Sequence, residues 1–282
     1  MNQLPNLPAP TWFVGCGNMG GAIVEGWRGA GIDLSEVVVI RPSGTPVQGV
    51  KTVAGVDNAG QPPKLVVLAF KPQKLDEVAP ELRHYLGADT IVVSILAGVE
   101  VESLRRRFPS ARTIVRAMPN LPVAIRRGVI SLYSEDADDA TRRELAELFA
   151  PLGFAPWMAD EAKFAAVGSV AGAGPAYVAR FIAALTKAGE KRGLSKEIAS
   201  TIALETVLGT SWMAATTREA MDDIVRRVAS PNGTTEAGLA VLSRDNVLDK
   251  LISLTIAAAS RRGAELAEAA KSANLAEPQR LH

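Results

Sequence analysis

Trp12-Phe13-Val14-Gly15-Cys16-Gly17-Asn18-Met19-Gly20 joins a short apolar run to glycines spaced G-x-G-x-x-G, and a helix-like stretch follows to Ala30 and the stop residue Gly31. Strand, tight glycine turn and helix, in that order, bring backbone amides close to a pyrophosphate and set its charge at a helix N-terminus. The reading is a dinucleotide-binding loop made of Gly15, Cys16, Gly17, Asn18, Met19 and Gly20 at the first strand of an α/β domain. The bland alternative is a glycine-rich turn that only lets strand and helix pack. Cys16 reads as a small spacer, because a nucleophilic thiol would want a base nearby and the sequence offers no obvious one.

Outward from this loop, apolar runs alternate with helix-like stretches through the first 160 residues: Val37–Ile40, Leu65–Phe70, Ile91–Ile95, Thr113–Arg116 and Val129–Tyr133. The runs are continuously apolar rather than alternating, so they predict strands buried on both faces of a largely parallel sheet. Between Arg41 and Pro63 glycine and proline are frequent, and any crossover helix there is short or absent. After Asp160 helical spacing takes over. Val178, Phe181, Ile182 and Leu185 stand at i, i+3, i+4 and i+7, and Met221, Ile224, Val225 and Val228 repeat the pattern. Thr216 to Glu219 reads as a capping box before the second of these, and Leu248, Leu251 and Ile252 begin a long helix ending near Lys271. The fold class is therefore a Rossmann-like α/β N-terminal domain followed by an all-α domain. The expected divisions are a flexible leader over residues 1–10, a nucleotide domain over 11–160, a helical domain over 161–272 and a frayed tail over 273–282. Helices this apolar would expose much hydrophobic surface alone, so a homo-oligomer is expected.

Composition agrees with a folded chain of about two domains of roughly 150 residues each. Of 282 residues, 48% are apolar and 22% charged, and 31 Lys and Arg against 30 Asp and Glu give a net charge of +1. There is no bulk positive field for nucleic acid or an anionic membrane. One cysteine excludes an intramolecular disulfide, and two histidines, His84 and His282, leave little for a metal site, so none is expected. His84 sits in a polar stretch and reads as a surface residue. Met1 to Val24 is uncharged, but Pro5, Pro8, Pro10 and its glycines rule out a membrane helix. It also lacks the basic start of a secretory signal, and the cytoplasm is the expected location.

The acid that would hold a ribose 2′-hydroxyl belongs at the end of the second strand, yet Ile40 is followed by Arg41-Pro42-Ser43. A guanidinium and a hydroxyl suit a 2′-phosphate, which favours NADPH while leaving NADH possible; Arg41 as a plain solvated charge is the alternative. Ligands of open α/β sheets lie across the carboxyl ends of the strands. That singles out Phe70-Lys71-Pro72, Ala97-Gly98 and Ala117-Met118-Pro119-Asn120, each of which also reads as ordinary turn punctuation. In the helical half, Ser230-Pro231-Asn232-Gly233-Thr234-Thr235 interrupts two helices and leads into Glu236 to Leu242. Free amides, three hydroxyls and a helix N-terminus suit a small anion such as a carboxylate. A capping turn with Thr as N-cap is the competing reading.

With these markers in place the chain resembles the pyrroline-5-carboxylate reductase family from about Trp12 to Lys271. The resemblance rests on the Gly15 to Gly20 loop, Lys71-Pro72, Arg116-Ala117-Met118-Pro119-Asn120, Gly174-Pro175-Ala176-Tyr177 and Ser230-Pro231-Asn232-Gly233-Thr234-Thr235, in that order. It implies NAD(P)H-dependent hydride transfer to the C=N bond of 1-pyrroline-5-carboxylate, giving L-proline, by a homodimer or a ring of dimers. It implies cofactor contacts at Gly15 to Gly20, Arg41, Ser43, Asn58, Ala69, Phe70, Lys71, Pro72, Ala97, Gly98 and Asn120. Substrate contacts are implied at Glu161, Ser230, Gly233, Thr234 and Thr235, with Thr235 nearest the ring nitrogen as the catalytic group. Departures from the pattern are Phe70 for Val, Ala171 and Ala173 for serines, Asn232 for glycine, and the cations Arg226 and Arg227 before the loop. Two other readings stand beside it. A 3-hydroxyacid dehydrogenase would want an asparagine four residues after its lysine, whereas Lys187 is followed there by Lys191. A non-catalytic NADP-binding protein would have no need of the anion loop.

Overall fold

The computed structural model describes residues 4–273, with side chains as far as Glu268. The tail expected to fray lies, beyond Ala273, outside the described residues. The predicted apolar runs form strands β1 (Thr11–Val14), β2 (Val37–Ile40), β4 (Leu65–Leu68), β5 (Ile91–Ser94), β6 (Thr113–Pro119) and β7 (Gly128–Tyr133). Two strands had no sequence signal: β3 (Lys51–Val53), in the glycine- and proline-rich stretch, and the two-residue β8 (Gly153–Phe154). The sheet order is β3-β2-β1-β4-β5-β6-β7-β8. Every neighbouring pair is parallel except β6 and β7. The exception follows from the short turn Leu121–Ile125 between them, too brief for the crossover that parallel strands need. The order reverses between β1 and β4, so the crevice of a doubly wound sheet opens at their carboxyl ends.

Helices on both faces explain why the strand runs are apolar throughout. On one side α1 (Asn18–Ala30) lays Ile23, Val24 and Trp27 against Phe13, Val39 and Val67, joined by Leu145, Leu148 and Phe149 of α4 (Asp139–Phe149). The Trp27 indole N–H donates to the Leu148 carbonyl at 3.0 Å, so a buried polar group is satisfied across 121 residues of chain. On the other side α2 (Leu75–Leu82) and α3 (Val101–Arg107) cover Trp12, Val66 and Val92. Between β2 and β4 there is only a single helical turn, Val56–Asn58, so the doubtful crossover helix is absent there. Leu4 to Pro10 has no regular secondary structure, yet Leu7 packs against the α1 core.

Beyond β8 the described chain is helical: α5 (Glu161–Val167), a π-helical turn at Gly168–Gly172, α6 (Gly174–Glu190), α7 (Lys196–Thr217), α8 (Met221–Val228), α9 (Thr234–Ser243) and α10 (Val247–Ala273). Asp138 caps α4 through the Thr141 amide and Asp160 caps α5 through the Lys163 amide; these bonds hold both carboxyls below the usual range. The capping box expected at Thr216 to Glu219 does not form. α7 continues through Thr217, the Thr216 hydroxyl donates back to the Trp212 carbonyl at 2.8 Å, and Ala220 is the N-cap of α8. A threonine hydroxyl that bonds i−4 within its own helix cannot cap the next one.

The chain divides into two compact units: Met1–Ala173 with Ala259–His282, and Gly174–Ala258. The sheet unit thus includes Glu161 to Ala173 and the C-terminal half of α10, which composition alone would group with the helices. In the helical unit small residues allow close approach. A Cβ on Gly189 of α6 would lie 3.1 Å from Ala199 Cβ on α7. No helix among the described residues is long and apolar enough to cross a membrane.

Candidate functional site

The glycine turn after β1 is shaped by what surrounds it. Gly15 has φ +78°, its N–H donates to the Ile40 carbonyl at 2.7 Å, and a Cβ there would lie 2.8 Å from the Ala69 carbonyl oxygen and from Phe70 Cβ. Only glycine fits, because the ends of β1, β2 and β4 converge on it. Gly17 is the N-cap of α1; it offers no side chain to the helix start, and the first turn holds no acid. The first intrahelical amide bond is Gly21 to Gly17, so the amides of Asn18, Met19 and Gly20 have no acceptor from the helix itself. A Cβ on Gly17 would meet nothing within 4 Å. Open space over an uncapped, acid-free helix start fits an anionic group such as a pyrophosphate.

The neighbours of this turn are as the strand ends predict. Arg41 leaves β2 with its amide on the Val53 carbonyl at 2.9 Å, and a turn closes with Gly44 on the Arg41 carbonyl. Ser43 is exposed, and its hydroxyl accepts from the Thr45 amide at 3.3 Å and the Thr45 hydroxyl at 3.0 Å. Burial pushes the Cys16 thiol up, and the nearby positive charge of Arg41 opposes that only in part. At neutral pH the thiol is protonated and a poor nucleophile, which suits a spacer. Ala69 is buried and its amide donates to the Val14 carbonyl at 2.8 Å, while Lys71 is exposed and Pro72 opens a helical turn. Asn58 is exposed in the turn Val56–Asn58.

Past β5 and β6 the sheet unit carries a half-open pocket of about 810 Å³, lined by Ala97, Gly98, Arg116, Met118, Glu161, Gly168, Ser169 and, from α10, Ser260 and Arg262. Arg116 is 7% exposed and lies 3.0 Å from Glu161 Oε1, with its guanidinium carbon 4.5 Å from the centre of the Phe164 ring. The same Glu161 oxygen accepts the Val101 amide at 3.1 Å. Glu161, expected on the substrate, thus neutralises a buried cation and ties α3 to α5. Asn120, expected on the cofactor, is also engaged within the protein: its amide nitrogen donates to the Ala171 carbonyl at 3.0 Å and its oxygen accepts the Val129 amide at 2.8 Å. Gly98 has φ +75°, and a Cβ there would lie 3.1 Å from the Leu266 carbonyl carbon, so α10 rests directly on this strand end. Ser169 and Ser260 hydroxyls are 2.8 Å apart, which fastens α10 to the π-helical turn. Sequence reasoning missed Ser260 and Arg262, because an amphipathic helix carries no mark of the pocket it will wall.

The anion loop lies in the helical unit. Gly233, not a threonine, is the N-cap of α9, and its amide donates to the Ser230 carbonyl at 3.0 Å. The Asn232 amide is also taken, by Glu236 Oε2 at 2.6 Å. The helix start leaves the amides of Thr234 and Thr235 without intrahelical acceptors, beside their own hydroxyls. The added cations in α8 are offset locally: Arg227 pairs with Glu219 at 3.1 Å, and Arg226 with Asp223. Among the described residues no cluster of His, Cys, Asp and Glu could hold a metal ion.

A parallel sheet whose order reverses beside a glycine turn and an uncapped helix defines the class, a Rossmann-type protein of the dinucleotide-binding kind. Residues 161–266 match the model for pyrroline-5-carboxylate reductase dimerisation, and residues 12–98 that for NADP oxidoreductase, coenzyme F420-dependent. The chain is 36% identical over 263 residues to pyrroline-5-carboxylate reductase of Pseudomonas aeruginosa, covering 91% of this chain and 96% of that one. It is 32% identical to pyrroline-5-carboxylate reductase 2 of Bacillus subtilis, covering 91% and 94%. A solved pyrroline-5-carboxylate reductase from Coxiella burnetii superposes with a TM-score of 0.85 at 31% identity, covering 92% of this chain and 99% of that one. The Plasmodium falciparum enzyme, solved with NADP bound, shares the fold with a TM-score of 0.83 at 24% identity, covering 94% and 100%. The chain belongs to the pyrroline-5-carboxylate reductase family.

Proposed function

We propose that this chain reduces 1-pyrroline-5-carboxylate to L-proline with NADPH, NADH serving less well, as a homodimer or larger homo-oligomer in the cytoplasm. Residues 11–160 serve the nucleotide and 161–272 the substrate and dimerisation. The observation that carries the reading is the uncapped, acid-free start of α1 at Gly17, which fits a pyrophosphate in a chain of this family. Gly15 to Gly20 would hold the pyrophosphate and Arg41 with Ser43 the 2′-phosphate. Asn58, Ala69 to Pro72 and Ala97-Gly98 would border the rest of the cofactor.

When bound, the nicotinamide would supply a hydride for the imine carbon, and the ring nitrogen would take its proton from water relayed through the Thr235 hydroxyl, so that C=N becomes CH–NH. The chain's own residues do the remaining work. Thr234 and Thr235 amides, with the Ser230 hydroxyl and Gly233 backbone, hold the carboxylate and so fix the ring. The Thr235 hydroxyl donates a hydrogen bond at the ring nitrogen, which makes the imine carbon more electrophilic. No strong base is required, and the protonated Cys16 thiol has no part. Glu161 would border the substrate while paired with Arg116, and Asn120 the cofactor while bonded to Ala171.

Following NADPH absorbance with 1-pyrroline-5-carboxylate and with a 3-oxo acid tests the assignment, and only the cyclic imine should consume cofactor. Thr235→Ala should lower kcat/KM by about 1–3 kcal/mol in transition-state terms, the size of a lost hydrogen bond to a charged partner. Wild-type turnover by that variant removes Thr235 from the chemistry.

A further inference from the structure

The loop before α9 contains a strained residue and a side chain placed to hold it. Asn232 has φ +58°, in the left-handed region where a side chain costs energy and asparagine is tolerated better than most. The next position, Gly233, has no room for a side chain: a Cβ there would lie 2.5 Å from Ser230 Oγ and 3.0 Å from the Ser230 carbonyl oxygen. Glu236, in the first turn of α9, reaches back over the helix start, and its carboxylate accepts the Asn232 amide at 2.6 Å. The acid of a capping box takes the N-cap amide; here the Gly233 amide is already on the Ser230 carbonyl, and Glu236 reaches one residue further, to Asn232.

We propose that Glu236 is a positioning residue for substrate: its bond to the Asn232 amide holds Asn232 left-handed and so keeps the Ser230–Thr235 turn in the form that receives a carboxylate. This rests on the functional reading above. The bond uses an amide outside the pair left open at Thr234 and Thr235, so Glu236 shapes the site and leaves its donors free. The role belongs to the hydrogen bond made by Oε2, which an uncharged acceptor can also supply.

Three variants of the full chain test it. Glu236→Ala should raise KM for 1-pyrroline-5-carboxylate roughly three- to tenfold, the effect of losing a capping interaction, with kcat and KM for NADPH within about twofold. Glu236→Gln keeps an acceptor oxygen and should stay near wild type. Adding Asn232→Gly to Glu236→Ala should restore KM, because glycine takes the left-handed conformation without help. An unchanged KM in Glu236→Ala, equal damage from Glu236→Gln, or no rescue in the double variant overturns the proposal. Amide hydrogen exchange over residues 228–240 without substrate gives an independent readout. Exchange should quicken in Glu236→Ala and return toward wild type in the double variant, and an unchanged rate also overturns it. If the wild-type chain is inactive on the imine while the variants show these exchange changes, the functional reading is rejected and the loop-holding role is kept.

Discussion

Arg41 carries the cofactor preference on one side chain. It follows β2 at the position where a carboxylate would accept a ribose hydroxyl, near enough to the glycine turn for its charge to oppose in part the upward push of burial on the Cys16 thiol. Arg41→Asp replaces a partner for a 2′-phosphate with a group that repels it. The NADPH-to-NADH ratio of kcat/KM should fall at least tenfold, the scale of a lost charge-assisted hydrogen bond. An unchanged ratio from steady-state kinetics with both cofactors would return Arg41 to the role of a solvated charge. At this scale the sequence was informative where backbone decides the chemistry. Gly15 could be read because only glycine permits the approach seen at Ala69 and Phe70, and Gly17 because a bare N-cap leaves the helix start open to an anion. It was less informative where a side chain's partner lies far along the chain: nothing near Glu161 signals Arg116, and nothing near Asn120 signals Ala171.

Among the elements, α1 shows how tightly the nucleotide turn is tied to the core beneath it. A Cβ on Gly26, on the buried face of α1, would lie 2.3 Å from the Val123 carbonyl oxygen and 2.7 Å from Leu152 Cδ2. Backbone cannot retreat as a side-chain end can, so Gly26→Ala should destabilise the chain by about 1–3 kcal/mol, read as a lower midpoint in thermal unfolding. A midpoint equal to wild type would mean that α1 can move away from the turns holding Val123 and Leu152, against the close packing seen. Glycine in a helix suggests flexibility from sequence; here it marks contact. The long apolar strands were legible because burial on both faces leaves no polar alternation. β3 and β8 were not, since three and two residues at the sheet's margins carry too little pattern. The capping box failed for a local reason: Thr216 has a carbonyl within reach in its own helix.

Taken as a molecule, the chain has an unequal distribution of buried surface. The sheet unit has two large cores, whereas in Gly174–Ala258 the buried residues are Ala199, Ala203 and Ile224. In the same stretch Phe181 is 51% exposed and Trp212 57%, along with Ile202, Leu208, Leu251 and Leu254. Apolar area on that scale is what a second copy covers in an obligate dimer, and the helical spacing anticipated it, because a helix apolar around much of its girth needs neighbours. If association supplies the missing core, stability depends on concentration, since the unfolded chains separate while the folded ones do not. Sedimentation at micromolar concentration should therefore give a dimer or a multiple of it, and the thermal midpoint should fall on serial dilution. A monomer whose midpoint is independent of dilution would show that the helical unit stands without a partner. The two threonines of the anion loop would then have to work from a surface that nothing holds in place.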